Sequence, residues 1–131
     1  MKNVLMLFAF LSFAFLGCTD DEPEVVSYDV TIKIVNPTPN STFTAFSDVP
    51  LEVEFIRNED EIIHNVKIEL IDGSNQSKVL FEEHVHELGN YIFANEAGLT
   101  ISDTGTYTLR ASSYDFDGNQ AEPVEITISA Q

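Results

Sequence analysis

Two histidines stand two residues apart, at His84 and His86, with Glu82 two residues before them. The segment around them, with Val79, Phe81 and Val85 opposite, alternates apolar and polar residues, which is the period of a strand. Alternate residues of a strand share one face. The two imidazoles then lie roughly 6.6–6.8 Å apart along the strand, a spacing that permits chelation of one zinc ion. Glu82 shares that face and offers an oxygen as a third ligand. A catalytic zinc would need three such ligands and an open position. The same residues equally describe a solvent-facing polar face that blunts a sheet edge. His64, the remaining histidine, is in phase with the apolar Val66, Ile68 and Leu70. It is expected to be a rim residue with a hydrogen-bond partner rather than a ligand.

A second set of candidates is acidic. Glu59, Asp60 and Glu61 are consecutive, and Asp115 and Asp117 flank Phe116 in Asp115-Phe116-Asp117-Gly118-Asn119. Calcium takes about 6–8 oxygens, so these carboxylates would suffice for that ion if they met. The second segment is not an EF-hand loop, because its glycine is fourth where that motif needs it sixth. Asp117-Gly118 also has the composition of a hairpin turn, which is the plainer use of the same residues. Calcium is the single cofactor the sequence raises beside the zinc alternative.

Other chemistry finds no support. There is no Gly-x-Ser-x-Gly elbow, no glycine-rich phosphate loop and no basic patch, so a non-enzymatic protein is expected. The formal net charge is −16. Such acidity argues against nucleic acid and anionic headgroups, and suits cations or cationic partners.

Cys18 is the only cysteine of the chain. It follows Met1-Lys2-Asn3, an apolar run of thirteen residues from Val4 to Leu16, and Gly17. A membrane span needs about 20 apolar residues, whereas a signal-peptide core needs roughly 7–15. Residues 1–17 are therefore expected to be a lipoprotein signal peptide, with Cys18 as the lipidated first residue of the mature chain. Bacterial lipoboxes usually carry Leu where Phe15 stands. A lipidated Cys18 leaves no thiol for a disulfide, so the exported domain must rely on its core. The segment 18–27 contains Asp20, Asp21, Glu22 and Glu24 and buries nothing apolar, so it is expected to be a solvated tether. Its nine residues from Thr19 to Ser27 reach about 30 Å when extended.

The elements that must position the candidates are strands. Period two marks Val30–Val35, Val49–Ile56, Asn65–Leu70, Val79–Val85, Tyr91–Phe93, Tyr107–Ala111 and Val124–Ile128. Asn36-Pro37, Asp72-Gly73-Ser74-Asn75, Leu88-Gly89-Asn90 and Asp117-Gly118 punctuate them. Seven short strands over 28–131 are expected to form one all-β sandwich. In that architecture the loops after the second, fourth and sixth strands share one end. They would bring Glu59, Asp60, Glu61, Glu87, Asp115 and Asp117 together.

Asp103-Thr104-Gly105-Thr106-Tyr107-Thr108-Leu109 resembles the Asp-x-Gly-x-Tyr-x-Cys corner of immunoglobulin domains. The resemblance implies an immunoglobulin-like sandwich in which Asp103 and Gly105 shape the corner. Tyr107 would open the sixth strand and bond its hydroxyl to upstream backbone. Leu109 stands where that family has cysteine, and the family's core tryptophan has no counterpart in this chain.

The cysteine followed at once by acidic residues resembles the surface-export signal of Bacteroidetes lipoproteins. The whole mature chain resembles uncharacterised members of that group, with an acidic tether and a single immunoglobulin-like domain. Asn36-Pro37, His84-Val85-His86, Gly105-Thr106-Tyr107 and Asp117-Gly118-Asn119 carry that resemblance. It implies lipid anchoring in the outer membrane through Cys18, with the domain exposed at the cell surface. It brings no established activity. The expected role is a binding or structural module making protein–protein or adhesive contacts through loops at the membrane-distal end. Accessory glycan binding is the alternative, which an exposed Tyr91–Tyr114 platform would favour. A metal-dependent hydrolase is the third.

Overall fold

A computed structural model describes residues 27–131 of the chain. The signal segment, Cys18 and all of the tether except Ser27 lie outside the described residues. Each period-two segment is a strand. In chain order these are β1 (Thr31–Asn36), a two-residue β2 (Thr42–Phe43), β3 (Asp48–Ile56), β4 (Ile62–Ile71), β5 (Ser77–Leu88), β6 (Asn90–Thr100), β7 (Gly105–Tyr114) and β8 (Val124–Ala130).

The strands form two sheets, ordered β1-β3-β6 and β2-β8-β7-β4-β5. All pairings are antiparallel except the parallel β2–β8 contact. Alternate side chains from both sheets meet between them. Val49, Leu51, Val53 and Phe55 of β3 face Ile63, Val66 and Ile68 of β4, Leu109 and Ala111 of β7, and Ile128 of β8 in one core. This is an immunoglobulin-like β-sandwich. Leu109, at the position of the family's cysteine, is fully buried.

Two features depart from the alternation in the sequence. β6 runs well past Phe93, because its pairing with β3 survives a bulge: Val49 pairs with Leu99, and Leu51 with Asn95. Gly98 permits the close approach, since a Cβ there would lie 2.7 Å from the Leu51 Cβ. β2 has too few residues to show a period, and its pairing with Ser129 and Ala130 makes it a strand.

The pairings assign every loop to one of two ends. Thr31 at the start of β1 lies opposite Ile56 at the end of β3, and Ile56 also lies opposite Asn90 at the start of β6. Ile62 pairs with Leu88, and Asn65 with Tyr114. The chain therefore enters the domain at the end that carries the β3–β4, β5–β6 and β7–β8 connections. The sequence reading puts those loops at the membrane-distal end. They share an end with Ser27, the first described residue. At the other end lie the β4–β5 turn, the β6–β7 loop and the end of β8.

Candidate functional site

The chain-entry end is built on a hydrogen-bond chain that begins at Tyr28. The Tyr28 hydroxyl accepts the His64 backbone N–H at 3.0 Å and lies 3.0 Å from the Ser113 hydroxyl. Ser113 in turn donates to the Asn65 carbonyl at 2.7 Å. The donors run in one direction, so the fully buried Ser113 is satisfied. Arg57 closes the edge. Its guanidinium lies 4.6 Å from the centre of the Tyr28 ring and donates to the carbonyls of Asp29 and Ile62. It also pairs with Glu61 at 3.3 Å.

β5 crosses to the other sheet through Gly89 alone. Gly89 has φ of +70°, and a Cβ there would sit 3.2 Å from the Glu59 Cα. Its N–H donates to the Glu61 carbonyl and its carbonyl accepts from Arg57. The corner thus demands glycine for both dihedral and space.

The three histidines meet at this end. His84 and His86 have ring centres 5.6 Å apart. His64 is 5.6 Å from His86 and 6.3 Å from His84. The reason is a β-bulge. Ile63 pairs with Glu87 and Asn65 with His84, so the single residue His64 faces both Val85 and His86. His86 takes φ of +54°, a left-handed conformation that costs a non-glycine residue free energy. Phe116, 68% exposed at the tip of the β7–β8 loop, packs its ring 4.4 Å from His64 and 5.0 Å from His84.

His64 differs from its sequence-based expectation. Its ring Nδ1 is buried and has no hydrogen-bond partner. Burial first, and then the neighbouring His86 and His84, pushes its pKa below the ordinary histidine value, with Asp115 acting the other way. Glu82 does not join the histidines. Its carboxylate accepts from the Tyr114 hydroxyl at 2.9 Å. That contact raises the Tyr114 pKa.

The acidic candidates are engaged locally. Asp115 accepts backbone N–H bonds from Asp117 and Asn119 on one oxygen and the Asn119 side chain on the other. These bonds, led by the Asn119 side chain, hold its carboxyl below the usual range. Glu61 is shared between Arg57 and Asn58. Glu59, Asp60 and Asp117 are exposed. Among the described residues, no three His, Cys, Asp or Glu side chains are arranged to hold a metal ion as they stand. The carboxylates share an end of the fold, with Asp115 and Glu61 bonded locally.

Exposed apolar residues also gather here. Leu88, 61% exposed, lines a shallow cleft with Ile56, Arg57, Glu59, Gly89 and Asn90. Ile92 lies exposed on the adjoining strand. Tyr91 and Tyr114 form no common platform. Tyr91 packs against the core from β6, 6.2 Å from Phe55, while Tyr114 lies on the other sheet.

At the opposite end, the Tyr107 hydroxyl donates to the Asp103 carbonyl at 2.8 Å. Gly105 opens β7 with φ of +154°.

The two-sheet fold and these contacts define an immunoglobulin-like domain. No family model and no curated protein matches the chain. Among solved structures, it is similar to the PKD domain of an M14-like peptidase from a Thermoplasmatales archaeon. There the identity is 13%, the TM-score 0.44, and coverage 78% of this chain and 92% of the other. A CARDB domain from Pyrococcus furiosus, solved in complex with di-metal ions, gives 13% identity, TM-score 0.48, and coverage of 78% and 92%. Fibronectin(III)-like modules of Clostridium thermocellum CbhA give 17%, TM-score 0.43, and coverage of 77% and 96%. These likenesses are of backbone shape, and no ligand of theirs is carried to this chain.

Proposed function

We propose that the mature chain is a non-catalytic, lipid-anchored module at the cell surface that makes protein–protein contacts through the chain-entry end of its sandwich. The observation that carries the reading is the cleft where Leu88 and Ile56 are exposed among Arg57, Glu59 and Asn90. An apolar patch rimmed by polar groups is the usual character of a protein contact site. The cell-surface placement rests on the signal segment, Cys18 and the acidic tether, and on the resemblance to Bacteroidetes surface lipoproteins. In this reading the partner reaches the end of the domain that faces its own tether. The contact is then made close to the membrane. The glycan alternative loses its main support, because Tyr91 and Tyr114 lie on different sheets.

The test is capture from intact cells with the full-length lipidated chain. A partner should be retained by the parent and lost with Leu88→Asp, while the circular-dichroism spectrum and melting temperature stay the same. Cys18→Ala should move the protein out of the membrane fraction. Capture undiminished by Leu88→Asp would overturn the contact site, and a membrane-bound Cys18→Ala protein would overturn the anchor.

A further inference from the structure

We propose that His64, His84 and His86 together bind one divalent transition-metal ion of the zinc class, at a site independent of the Leu88 cleft. Three imidazoles donating to one tetrahedral zinc at about 2.0–2.1 Å place their ring centres about 5 Å apart. The observed separations are 5.6, 5.6 and 6.3 Å. The nitrogens as they stand do not converge. Turning a histidine ring about its Cβ–Cγ bond moves the nitrogens but leaves the ring centre nearly in place. That torsion is broad. Swivel of the His64 and His86 rings turns their donors inward, and zinc must also draw the His64 and His84 rings together by about 1 Å from their 6.3 Å separation.

Three further observations point to a ligand. The first concerns His84. The Asn65 side-chain nitrogen donates to the Tyr114 carbonyl at 3.0 Å, which fixes the amide orientation. Asn65 Oδ1 then faces His84 Nδ1 at 3.1 Å. An amide oxygen only accepts, so Nδ1 of a neutral His84 carries the proton and Nε2 keeps its lone pair for a metal. Outer contacts of this kind orient ligating histidines in metal sites generally. The second is the buried Nδ1 of His64, which no group in the protein satisfies. The third is the bulge, which holds His86 at φ of +54° and turns it toward His64. Bulges re-aim side chains and are over-represented at sheet edges, where β5 lies, and beside active sites.

The set corrects the ligand group suggested by spacing alone. Glu82 is held by Tyr114 and is replaced by His64. Three histidines leave a fourth coordination position for water or a partner's side chain.

The test is zinc binding by the full-length chain in detergent, purified without a polyhistidine tag, at pH 7.5. Equilibrium dialysis should find one zinc per chain, and substituting cobalt should give the visible absorption of a tetrahedral site. His64→Gln and His84→Asn should each weaken binding about tenfold or more, while Glu82→Gln leaves it unchanged. His84 is exposed, so its variant keeps the fold even if His64→Gln does not. Absence of saturable zinc binding would overturn the proposal. So would affinity undiminished in His84→Asn, or affinity lost instead in the double variant Asp115→Asn, Asp117→Asn.

Discussion

The two ends of the sandwich solve the same problem, closing two sheets over one core, with different materials. The end opposite the chain entry is fastened by backbone and by short polar contacts. Ala45, Phe46 and Gln131 are tied by main-chain hydrogen bonds to Gln131, Ile101 and Phe43. Asp72 caps its own turn by accepting from the N–H groups of Ser74 and Gln76. Tyr107 pins the β6–β7 loop. The chain-entry end is also closed by hydrogen bonds, through Tyr28, Ser113 and Arg57. Yet it retains an unpartnered imidazole nitrogen and a cleft of exposed Leu88 and Ile56, while each end holds a bulky residue at positive φ, His86 here and Phe46 there. The open histidine nitrogen and the cleft are what single out this end for the proposed contacts.

The comparison breaks first if Tyr107 is not a fastener. Tyr107→Ala removes a hydroxyl bond and a half-buried ring, and should cost about 2–3 kcal/mol. Tyr107→Phe, which loses the bond alone, should cost about 0.5–1.5 kcal/mol. Denaturant melts of both variants check this, and equal stability of parent and variants would show that the corner bond is not holding that end.

At the chain-entry end the matching test is Tyr28→Phe. It leaves the His64 N–H without its acceptor and Ser113 without its neighbour, and should cost about 1–2 kcal/mol. The same substitution should speed hydrogen exchange at His64 while leaving the β6–β7 loop unaffected. Exchange that rises equally at both ends would deny that the two closures are separate.

A smaller effect sharpens the contrast through pH. Glu69 sits on the half of β4 that runs to the opposite end, paired with Lys67 at 2.9 Å. The hydrogen bond from Lys67, aided by one from Ser77, holds the Glu69 carboxyl below its ordinary value. The unfolded state therefore binds more protons than the folded state, and stability rises with pH across that interval. The contribution is full above the unfolded value of 4.5 and is lost as pH falls through the lower folded value. Melting temperature should fall in this acid window in the parent, and less steeply in Glu69→Gln. An unchanged slope would remove Glu69 from the account.

The smallest expected effect concerns calcium. Both Asp115 oxygens are already bonded within the loop. Calcium, magnesium and sodium chloride at matched ionic strength should then shift the melting temperature equally. A calcium-specific shift abolished by the double variant Asp115→Asn, Asp117→Asn would restore the acidic site.

The sequence was most readable where burial imposed a strict period. The alternations in β3, β4 and β8 gave their strands directly, and Asp103-Thr104-Gly105-Thr106-Tyr107 marked the start of β7. It was less readable where strands meet. β6 looked short because Asn95-Glu96-Ala97-Gly98 breaks the alternation, and only the bulge against Leu51 carries the pairing on. His84 and His86 stood out by spacing, but their partner did not. His64 was hidden because residues in contact across a hairpin are distant in sequence. A signal was present: counting back from the Ile71–Ser77 pair places His64 opposite His84. Two irregularities, between Ile68 and Glu69 and between Ile63 and Asn65, then move it opposite Val85 and His86, and nothing in the residue types announces a bulge. Tyr28 was equally unannounced, since its role depends on Ser113, 85 residues away.

The central claim is that the chain-entry end is the working end, and photo-crosslinking on intact cells tests it most directly. A photoreactive amino acid would be placed at Leu88 in one full-length protein and at Phe46 in another. Phe46 is 76% exposed at the opposite end, so exposure alone favours it over Leu88. The account predicts a discrete crosslinked partner from position 88 and none from position 46. A partner captured from position 46 and not from position 88 would contradict it.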